Sequence, residues 1–207
     1  MNNNNDSRRL GLPGHRLKSK LAVLALTLAL IAGASGQVST TGNVTLAQHK
    51  SSPDRGWQSL FNGKDLSGWV PVHDVTFTVT NGNLRLVTGM GWLRTEKQYT
   101  DFVLEAEWRA LGPDYDSGLF IRAGLEGKPW PKDGWQVNLL RSALGGLVKG
   151  YKTVVPAETP PMPVNQWVKF RIEVKGRKIA LHVNDQPAWE SDLLDADGRG
   201  FGHRPAV

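Results

Sequence analysis

Apolar and polar residues alternate along Phe102–Arg109, and this alternation predicts an extended strand with one apolar face. The apolar positions are Phe102, Leu104, Ala106 and Trp108. The opposite face carries Glu105, Glu107 and Arg109 after Val103, because side chains on a strand alternate between its two sides. Such a row of charges is typical either of a solvated sheet face with cheap ion pairs or of a polar cleft on a rigid sheet.

A second apolar stretch, Ser117–Arg122, follows a turn rich in Gly, Pro and Asp. If this strand pairs with the first one, Arg122 comes close to the two glutamates. The structural interpretation is then that Glu105 and Glu107 form ion pairs with Arg109 and Arg122.

The remaining patterns are also those of strands. Asn81-Gly82 between two apolar runs is a strong hairpin signal, and the prolines of Val155–Pro163 predict a loop. No stretch of ten or more residues after residue 36 has a helical period, so the sequence predicts an all-β sandwich. The further predicted strands are Trp57–Phe61, Trp69–Val72, Phe77–Val79, Leu84–Val87, Trp92–Arg94, Trp135–Leu140, Trp167–Lys175 and Lys178–Val183.

The first 36 residues have the pattern of a secretory signal peptide. A basic stretch, Arg8–Lys20, precedes the apolar run Leu21–Ala32, which is too short to span a bilayer comfortably. Ala32-Gly-Ala34 supplies small residues for cleavage after Ala34 or Gly36, and an uncleaved membrane anchor is the alternative. Residues 37–55, rich in Ser and Thr, predict a flexible linker.

Charge and composition narrow the choice of partner. The chain has a formal charge of +6, of which +4 lies in residues 1–36, so the remainder shows no nucleic-acid footprint. The absence of cysteine excludes disulfides and thiolate metal sites. Eight tryptophans are many for 207 residues, and tryptophan serves both as core filler and as a platform for sugar rings.

Several ordered motifs over residues 56–195 resemble the 3-keto-disaccharide hydrolase domain family, formerly a domain of unknown function. The motifs are Gly56–Trp69 (GWQSLFNGKDLSGW), Tyr99–Arg109, Asp116–Arg122, Gly134–Asn138 and Asn165–Arg177. The resemblance implies a concanavalin A-like jelly-roll sandwich of two curved antiparallel sheets. It also implies a periplasmic or secreted bacterial protein that acts on glycosides oxidised at C3.

The C-terminal part departs from the pattern of this family. The family closes with a Gly-x-Ile-Gly-Leu-Gln strand and an Arg-Asn-Ile strand, whereas residues 196–207 show no alternation. We therefore expect the sandwich to span 56–195 and to lack its last strands, with an irregular, truncated or frameshifted tail over 196–207. A missing strand leaves an unpaired edge.

The resemblance implies a specific chemistry. A C3 ketone acidifies the C2 proton, whose removal gives an enolate that expels the C1 oxygen before water adds. Glu105 and Glu107 are the expected base and acid, in either assignment, with Arg109 as the catalytic cation. The expected substrate-binding residues are Arg122, Gln136, Asn138, Trp130 and His73.

Two other functions stay open at this stage. Residues i and i+2 on a strand are about 7 Å apart at Cα, so two carboxylates there also suit an ordinary glycosidase. A lectin-like carbohydrate-binding module on the same fold is the non-catalytic alternative. A cleft with ionisable groups favours an enzyme, and one lined by aromatics and amides favours a binding module.

The aromatic residues differ in how well the sequence supports them as sugar-binding residues. Trp130, between two prolines, is the better sugar platform, because Trp135 shares its parity with apolar Val137. His73 either lines the cleft or lies on an exposed loop. We predict a carbohydrate partner, no nucleic acid, no membrane anchor after cleavage and no cofactor. A structural or catalytic divalent cation stays open, since no stretch has convincing ligand spacing.

Overall fold

The computed structural model describes residues 15–22, 56–192 and 194, with the backbone alone for 15–22. Apart from one short 3₁₀ turn at Arg141–Ala143, every element within these ranges is a strand. The described part of the chain is therefore all-β, as predicted. The strands are β1 His15–Ala22, β2 Trp57–Ser59, β3 Trp69–Thr80, β4 Asn83–Thr95, β5 Phe102–Trp108, β6 Gly118–Ile121, β7 Trp135–Asn138, β8 Leu147–Lys149, β9 Lys152–Val155, β10 Val168–Lys175, β11 Lys178–Val183 and β12 Gln186–Ser191.

The strands form two sheets that make a sandwich. The large sheet has the order β12-β11-β10-β5-β1-β4-β3, with β2 paired to β1, and the small sheet has the order β6-β7-β8-β9. Apolar side chains of both sheets meet in one core, from Trp108, Phe170 and Leu181 of the large sheet to Val137 and Leu147 of the small one. The predicted two-sheet architecture is thereby confirmed.

The alternation of Phe102–Arg109 is confirmed in β5. Phe102, Ala106 and Trp108 are buried, Trp108 with 2% of its surface exposed, and Leu104 is partly buried against the same core. Glu105 and Glu107 are only partly covered. Burial of the apolar parity against the small sheet therefore directs the glutamates to the outer face of the large sheet.

The hairpin at Asn81-Gly82 is confirmed, but its strands are longer than the sequence predicted. Four short predicted strands merge into β3 and β4, which pair from Trp69 with Thr95 to Thr80 with Asn83. Asn81 and Gly82 both have positive φ, at 52° and 72°, which is the backbone of a tight two-residue turn. Gly89 and Gly91 continue β4 through backbone conformations that few other residues adopt.

The pairing of Ser117–Arg122 with Phe102–Arg109, which would bring Arg122 to the glutamates, does not occur. The strand β6 pairs with β7 in the small sheet, and β5 pairs with β10, seven residues in antiparallel register. Strand β6 therefore belongs to the opposite layer, and Arg122 at its end lies away from the glutamates.

Strand β1 lies within residues 1–36, where we predict a signal peptide. It runs parallel to β5 and lies between β5 and the strands β2 and β4. The predicted cleavage position, the linker 37–55 and the tail 196–207 lie outside the described residues. No helix in the described part of the chain has the length and apolar character needed to cross a membrane.

Candidate functional site

The candidate site lies on the outer face of the large sheet, where β5 and β10 pair. In their register Glu105 stands opposite Arg171, and Glu107 stands opposite Lys169. These residues and Glu173 alternate with core positions on their strands, so burial of one parity brings the charges together on the other. We call Glu105, Glu107, Lys169, Arg171 and Glu173 the charged face.

Glu105 is held by two cations from β10. Arg171 Nη1 donates to Glu105 Oε1 over 3.0 Å, and Lys169 Nζ lies 3.6 Å from the same oxygen. Arg171 Nε also donates to Glu173 Oε1 over 2.8 Å. The sequence predicted that Glu105 pairs with Arg109 and Arg122. The structure corrects these partners to Arg171 and Lys169, because β10 pairs with β5.

Two tryptophans contact arginine side chains, one of which belongs to the charged face and the other of which follows β5. The guanidinium of Arg109 lies 5.0 Å from the ring centre of Trp167, and that of Arg171 lies 5.8 Å from the ring centre of Trp57. Both distances are within the range of cation–π attraction. Trp167 is 37% exposed, so part of its ring stays open to a ligand.

Glu107 lines a shallow cavity of about 440 Å³ at the end of β5. Its other lining residues are Asn83, Trp167, Val168, Lys169 and Asn184. The cavity thus joins a carboxylate, an ammonium group, two amides and an indole ring, and its volume falls within the usual range for small-ligand sites, about 300–1,000 Å³. Groups of these kinds can donate to or accept from a polar ligand, and the ring can stack on an apolar face.

Lys169 is fixed as a cation beside this cavity. Its Nζ donates to Asp185 Oδ1 over 2.8 Å, and this bond, with the nearby Glu105 carboxylate, raises the pKa of Lys169 against the opposing effect of burial. The same bond lowers the pKa of Asp185. Asn184 Oδ1 accepts from the backbone N–H of Lys169 over 3.0 Å, so the turn after β11 is tied to the start of β10.

Arg122 does not reach the charged face. It is buried after β6, where its Nη2 lies 3.2 Å from Asp101 Oδ1 and 3.3 Å from the carbonyl of Thr100. The contact joins the end of β6 to the start of β5 and thereby links the two sheets. Its predicted place beside Glu105 and Glu107 is wrong, for the reason that β5 and β6 belong to different layers.

Gln136 and Asn138 lie on the small sheet, with their parity opposite that of buried Trp135 and Val137. The amides face each other, Gln136 Nε2 lying 3.4 Å from Asn138 Oδ1, and Gln136 also donates to the carbonyl of Ser117. Of the residues predicted to bind substrate, neither of these amides lines the cavity at Glu107.

Trp130 lies on the loop between β6 and β7 and is exposed there. Trp135 begins β7 and is buried in the core, as predicted. The His73 ring contacts the carbonyl of Gly127 and packs edge-on against buried Trp92, with ring centres 5.1 Å apart. His73 therefore joins the β3–β4 hairpin to this loop, and the structure does not bring it to Glu107.

Sequence reasoning missed Lys169, Trp167, Asn83 and Asn184 as site residues. A signal was present for Lys169, since polar positions alternate along Trp167–Lys175 just as they do along β5. What the pattern lacked was the register, because only the pairing of β5 with β10 sets Lys169 against Glu107. Among the described residues no group of three His, Asp or Glu side chains is placed to hold a metal ion.

Comparison with known proteins agrees with this architecture. The family described as the 3-keto-alpha-glucoside-1,2-lyase-like domain matches residues 56–202, which confirms the resemblance found in the sequence motifs. No curated protein matches the chain.

Two solved structures are similar to part of this chain. A protein from Parabacteroides distasonis described as a candidate glycosyl hydrolase has a TM-score of 0.50 and 23% identity, over 64% of this chain and 70% of the other. The carbohydrate-binding module CBM66 from Bacillus subtilis has a TM-score of 0.48 and 17% identity, over 60% of this chain and 78% of its own. The first likeness supports the sandwich fold.

Proposed function

Because the chain belongs to the 3-keto-alpha-glucoside-1,2-lyase-like domain family, we propose that it cleaves glycosidic bonds of sugars oxidised at C3. The observation that supports this most directly is the position of Glu107 in a cavity with Lys169 and Trp167. A carboxylate and a cation at one small cavity are the two groups that proton removal next to a ketone needs. The predicted signal peptide adds the proposal that the enzyme is exported to the periplasm or the medium.

Glu107 is the proposed base. It removes the C2 proton, and the electron pair of that C–H bond moves toward the C3 oxygen, where Lys169 stabilises the negative charge of the enolate. The enolate then expels the C1 oxygen, which takes the proton back from Glu107. Water adds across the resulting double bond, with hydroxyl at C1 and a proton at C2, and completes the hydrolysis.

The other residues of the site have supporting roles in this scheme. Glu105 is engaged by Arg171 and Lys169, so it sets the position of the cations rather than acting as the base. Trp167 offers its ring to the apolar face of the sugar, and Arg109 holds that ring by a cation–π contact. Asn83 and Asn184 offer amides to the sugar hydroxyls.

The first prediction tests the base. Glu107→Gln keeps the shape of the side chain but cannot take a proton, so we expect turnover of a chromogenic 3-keto-glucoside to fall by about 10²-fold or more, with little change in binding. The matched control is Glu173→Gln, on the same sheet face but away from the cavity, which should retain turnover. Equal losses in both variants would contradict the role of Glu107.

The substrate pair separates the reaction classes. The enolate route requires the ketone, so the unoxidised parent glucoside should not be cleaved. Comparable cleavage of both sugars would favour an ordinary glycosidase with two carboxylates. Binding of both sugars, measured by calorimetry, without cleavage of either would favour a binding module.

The binding-module alternative has an observation of its own. On the small sheet Gln136 is partly exposed and contacts Asn138, which is only 8% exposed, and the loop before β7 exposes Trp130. Amides with an exposed indole bind sugar hydroxyls and ring faces without ionisable groups for catalysis. Sugar binding that Trp130→Ala abolishes and Trp167→Ala leaves unchanged would favour this second function.

A further inference from the structure

Strand β1 holds the large sheet together in an unusual way. The sheet order places β1 between β5 and β4, and β2 pairs with β1 alone, so the β3–β4 hairpin and β2 join the sheet through this strand. Its pairings with β2, β4 and β5 are parallel, whereas all other described pairings are antiparallel. The edge of β5 therefore accepts a strand from a distant part of the chain.

The sequence of β1, His15-Arg-Leu-Lys-Ser-Lys-Leu-Ala22, has a period of two. Basic residues hold one parity and leucine, serine and histidine hold the other, apart from terminal Ala22. A period of two is the pattern of a strand with two different faces. The basic charge of this segment is expected for the start of a signal peptide. The alternation is not required by that role, so it is an independent indication of a strand.

The register matches the two parities of β1 to the two faces of β5. Leu17 stands opposite Leu104, on the parity of the core, and Lys18 and Lys20 stand opposite Glu105 and Glu107. Neighbouring positions in register belong to the same sheet face, and a slip by one residue would set leucine against glutamate. Hydrophobic pattern and charge thus select the same register.

We propose that the edge of β5 is a strand-acceptor site whose occupant is His15–Ala22 of this same chain. Addition of a strand to an exposed sheet edge gains a full row of backbone hydrogen bonds, and the alternate side-chain positions give it specificity. Cleavage after Ala34 or Gly36 would remove the occupant and open the edge beside Glu105 and Glu107. Strand addition at this edge does not depend on which reaction the site performs.

Cross-linking tests the occupant directly, because the chain has no cysteine of its own. Ser19 stands opposite Ala106, so Ser19→Cys with Ala106→Cys in the full chain, produced without export, should close a disulfide on mild oxidation. The matched control is Ser19→Cys with Ala110→Cys, an equally buried alanine about 13 Å further along the chain. A disulfide needs Cα atoms within about 7 Å, so the control should stay reduced.

The possible results all decide the proposal. An intramolecular disulfide in the first pair alone, seen as a mass loss of about 2 Da on trypsin peptides that contain both cysteines, supports it. Equal oxidation of both pairs or of neither overturns it. A disulfide-linked dimer from the first pair also overturns it, since the occupant would then be a second copy.

Charge reversal in β1 tests whether its lysines match the glutamates of β5, and it leaves the sequence of β5 unchanged. Lys18→Glu with Lys20→Glu should speed amide hydrogen exchange along Phe102–Glu107 by about tenfold or more, since the strand opposite would be repelled. Arg8→Glu with Arg9→Glu makes the same change in net charge outside β1 and should leave these amides unchanged. Unchanged exchange in the first variant, or equal acceleration in both, would overturn the charge-matched register.

Discussion

At the scale of single residues, hydrogen bonds fix which charges are set in place. Lys169 is bound to Asp185 on one side and lies near Glu105 on the other, so it stays protonated beside the cavity. Glu107 lines that cavity and Glu105 is held by β10, although both glutamates occupy equivalent positions in the sequence pattern. Two residues of the same type and parity thus differ because of their neighbours across the sheet.

Asp65 gives a prediction about pH at this scale. Hydrogen bonds from the Ser67 side chain, the Asn62 amide and the Ser67 backbone lower the pKa of Asp65 to about 2. A carboxyl whose pKa is depressed on folding stabilises the protein above its unfolded pKa of 3.8, and this stabilisation is lost as the pH falls toward 2.

The measurement is thermal unfolding of wild type and Asp65→Asn across this range of pH. We expect the variant to melt below wild type at pH 6 and the difference to shrink steadily between about pH 4 and pH 2. Asp114→Asn is the control: Asp114 is exposed, and its carboxylate makes no hydrogen bond within the described part of the chain, so this variant should show no such convergence. A melting difference that is constant from pH 6 to pH 2 would contradict the role of the Asp65 carboxylate.

At the scale of elements, the large sheet is stabilised by the side chains that β5 and β10 bury against the small sheet. Trp108 packs edge-on against Phe170, with ring centres 5.7 Å apart, and at a tilt against Tyr115 at 5.6 Å. The Tyr115 hydroxyl accepts from the backbone N–H of Met162 over 3.1 Å and ties the long loop before β10 to this aromatic cluster.

Truncation of Trp108 should therefore destabilise the whole sandwich. Trp108→Ala removes a ring that is 2% exposed, and we expect a loss of roughly 3–5 kcal/mol in the free energy of unfolding, measured by denaturant titration. Tyr151→Ala, at an aromatic residue that is 85% exposed, should change the stability by less than about 0.5 kcal/mol. Similar losses in the two variants would show that Trp108 is not part of the core.

Gly89 allows a test of the hairpin backbone. A Cβ at this position would overlap the backbone carbonyl of Asp74 on the partner strand, and φ is +99°. Gly89→Ala should thus add overlap to backbone strain and cost about 3 kcal/mol or more. At Gly150 φ is also positive but the space is open, so Gly150→Ala should cost only about 1 kcal/mol by the same titration. Equal costs would mean that strain alone, without the close approach, decides the effect.

At the scale of the whole molecule, the sandwich contains strands from two parts of the chain: the predicted signal peptide, which cleavage would remove, and the domain that would remain. Residues 56–192 form two sheets with one core, and His15–Ala22, from the predicted signal peptide, completes the large sheet. The candidate site lies on the outer face of that sheet, beside the strand that cleavage would remove.

The predicted signal peptide can be tested by the N-terminus of the exported protein. Protein recovered from a secreting host should begin near Ser35 or Gln37, because the basic stretch, the apolar run and Ala32-Gly-Ala34 direct cleavage there. Intact-mass spectrometry of the exported protein measures this. An exported chain that keeps Met1 would contradict the signal peptide and favour the anchor.

The sequence by itself determined the fold class, the hairpin at Asn81-Gly82 and the two faces of β5. Each of these follows from local properties: a period of two, a turn that needs positive φ, and the absence of a helical period. The ordered motifs identified the family. The parity that Trp135 shares with Val137 placed Trp135 in the core, and the two prolines that flank Trp130 placed it on a loop.

Only the tertiary structure decided which strands are neighbours. A period of two states which residues share a face, but it carries no information about the strand on the other side of the hydrogen bonds. For this reason Arg122 was misplaced beside the glutamates, and Lys169 and Trp167 were missed. The candidate site takes its carboxylate from β5 and its cation from β10, 62 residues further along the chain, and burial of both apolar faces in one core brings them together.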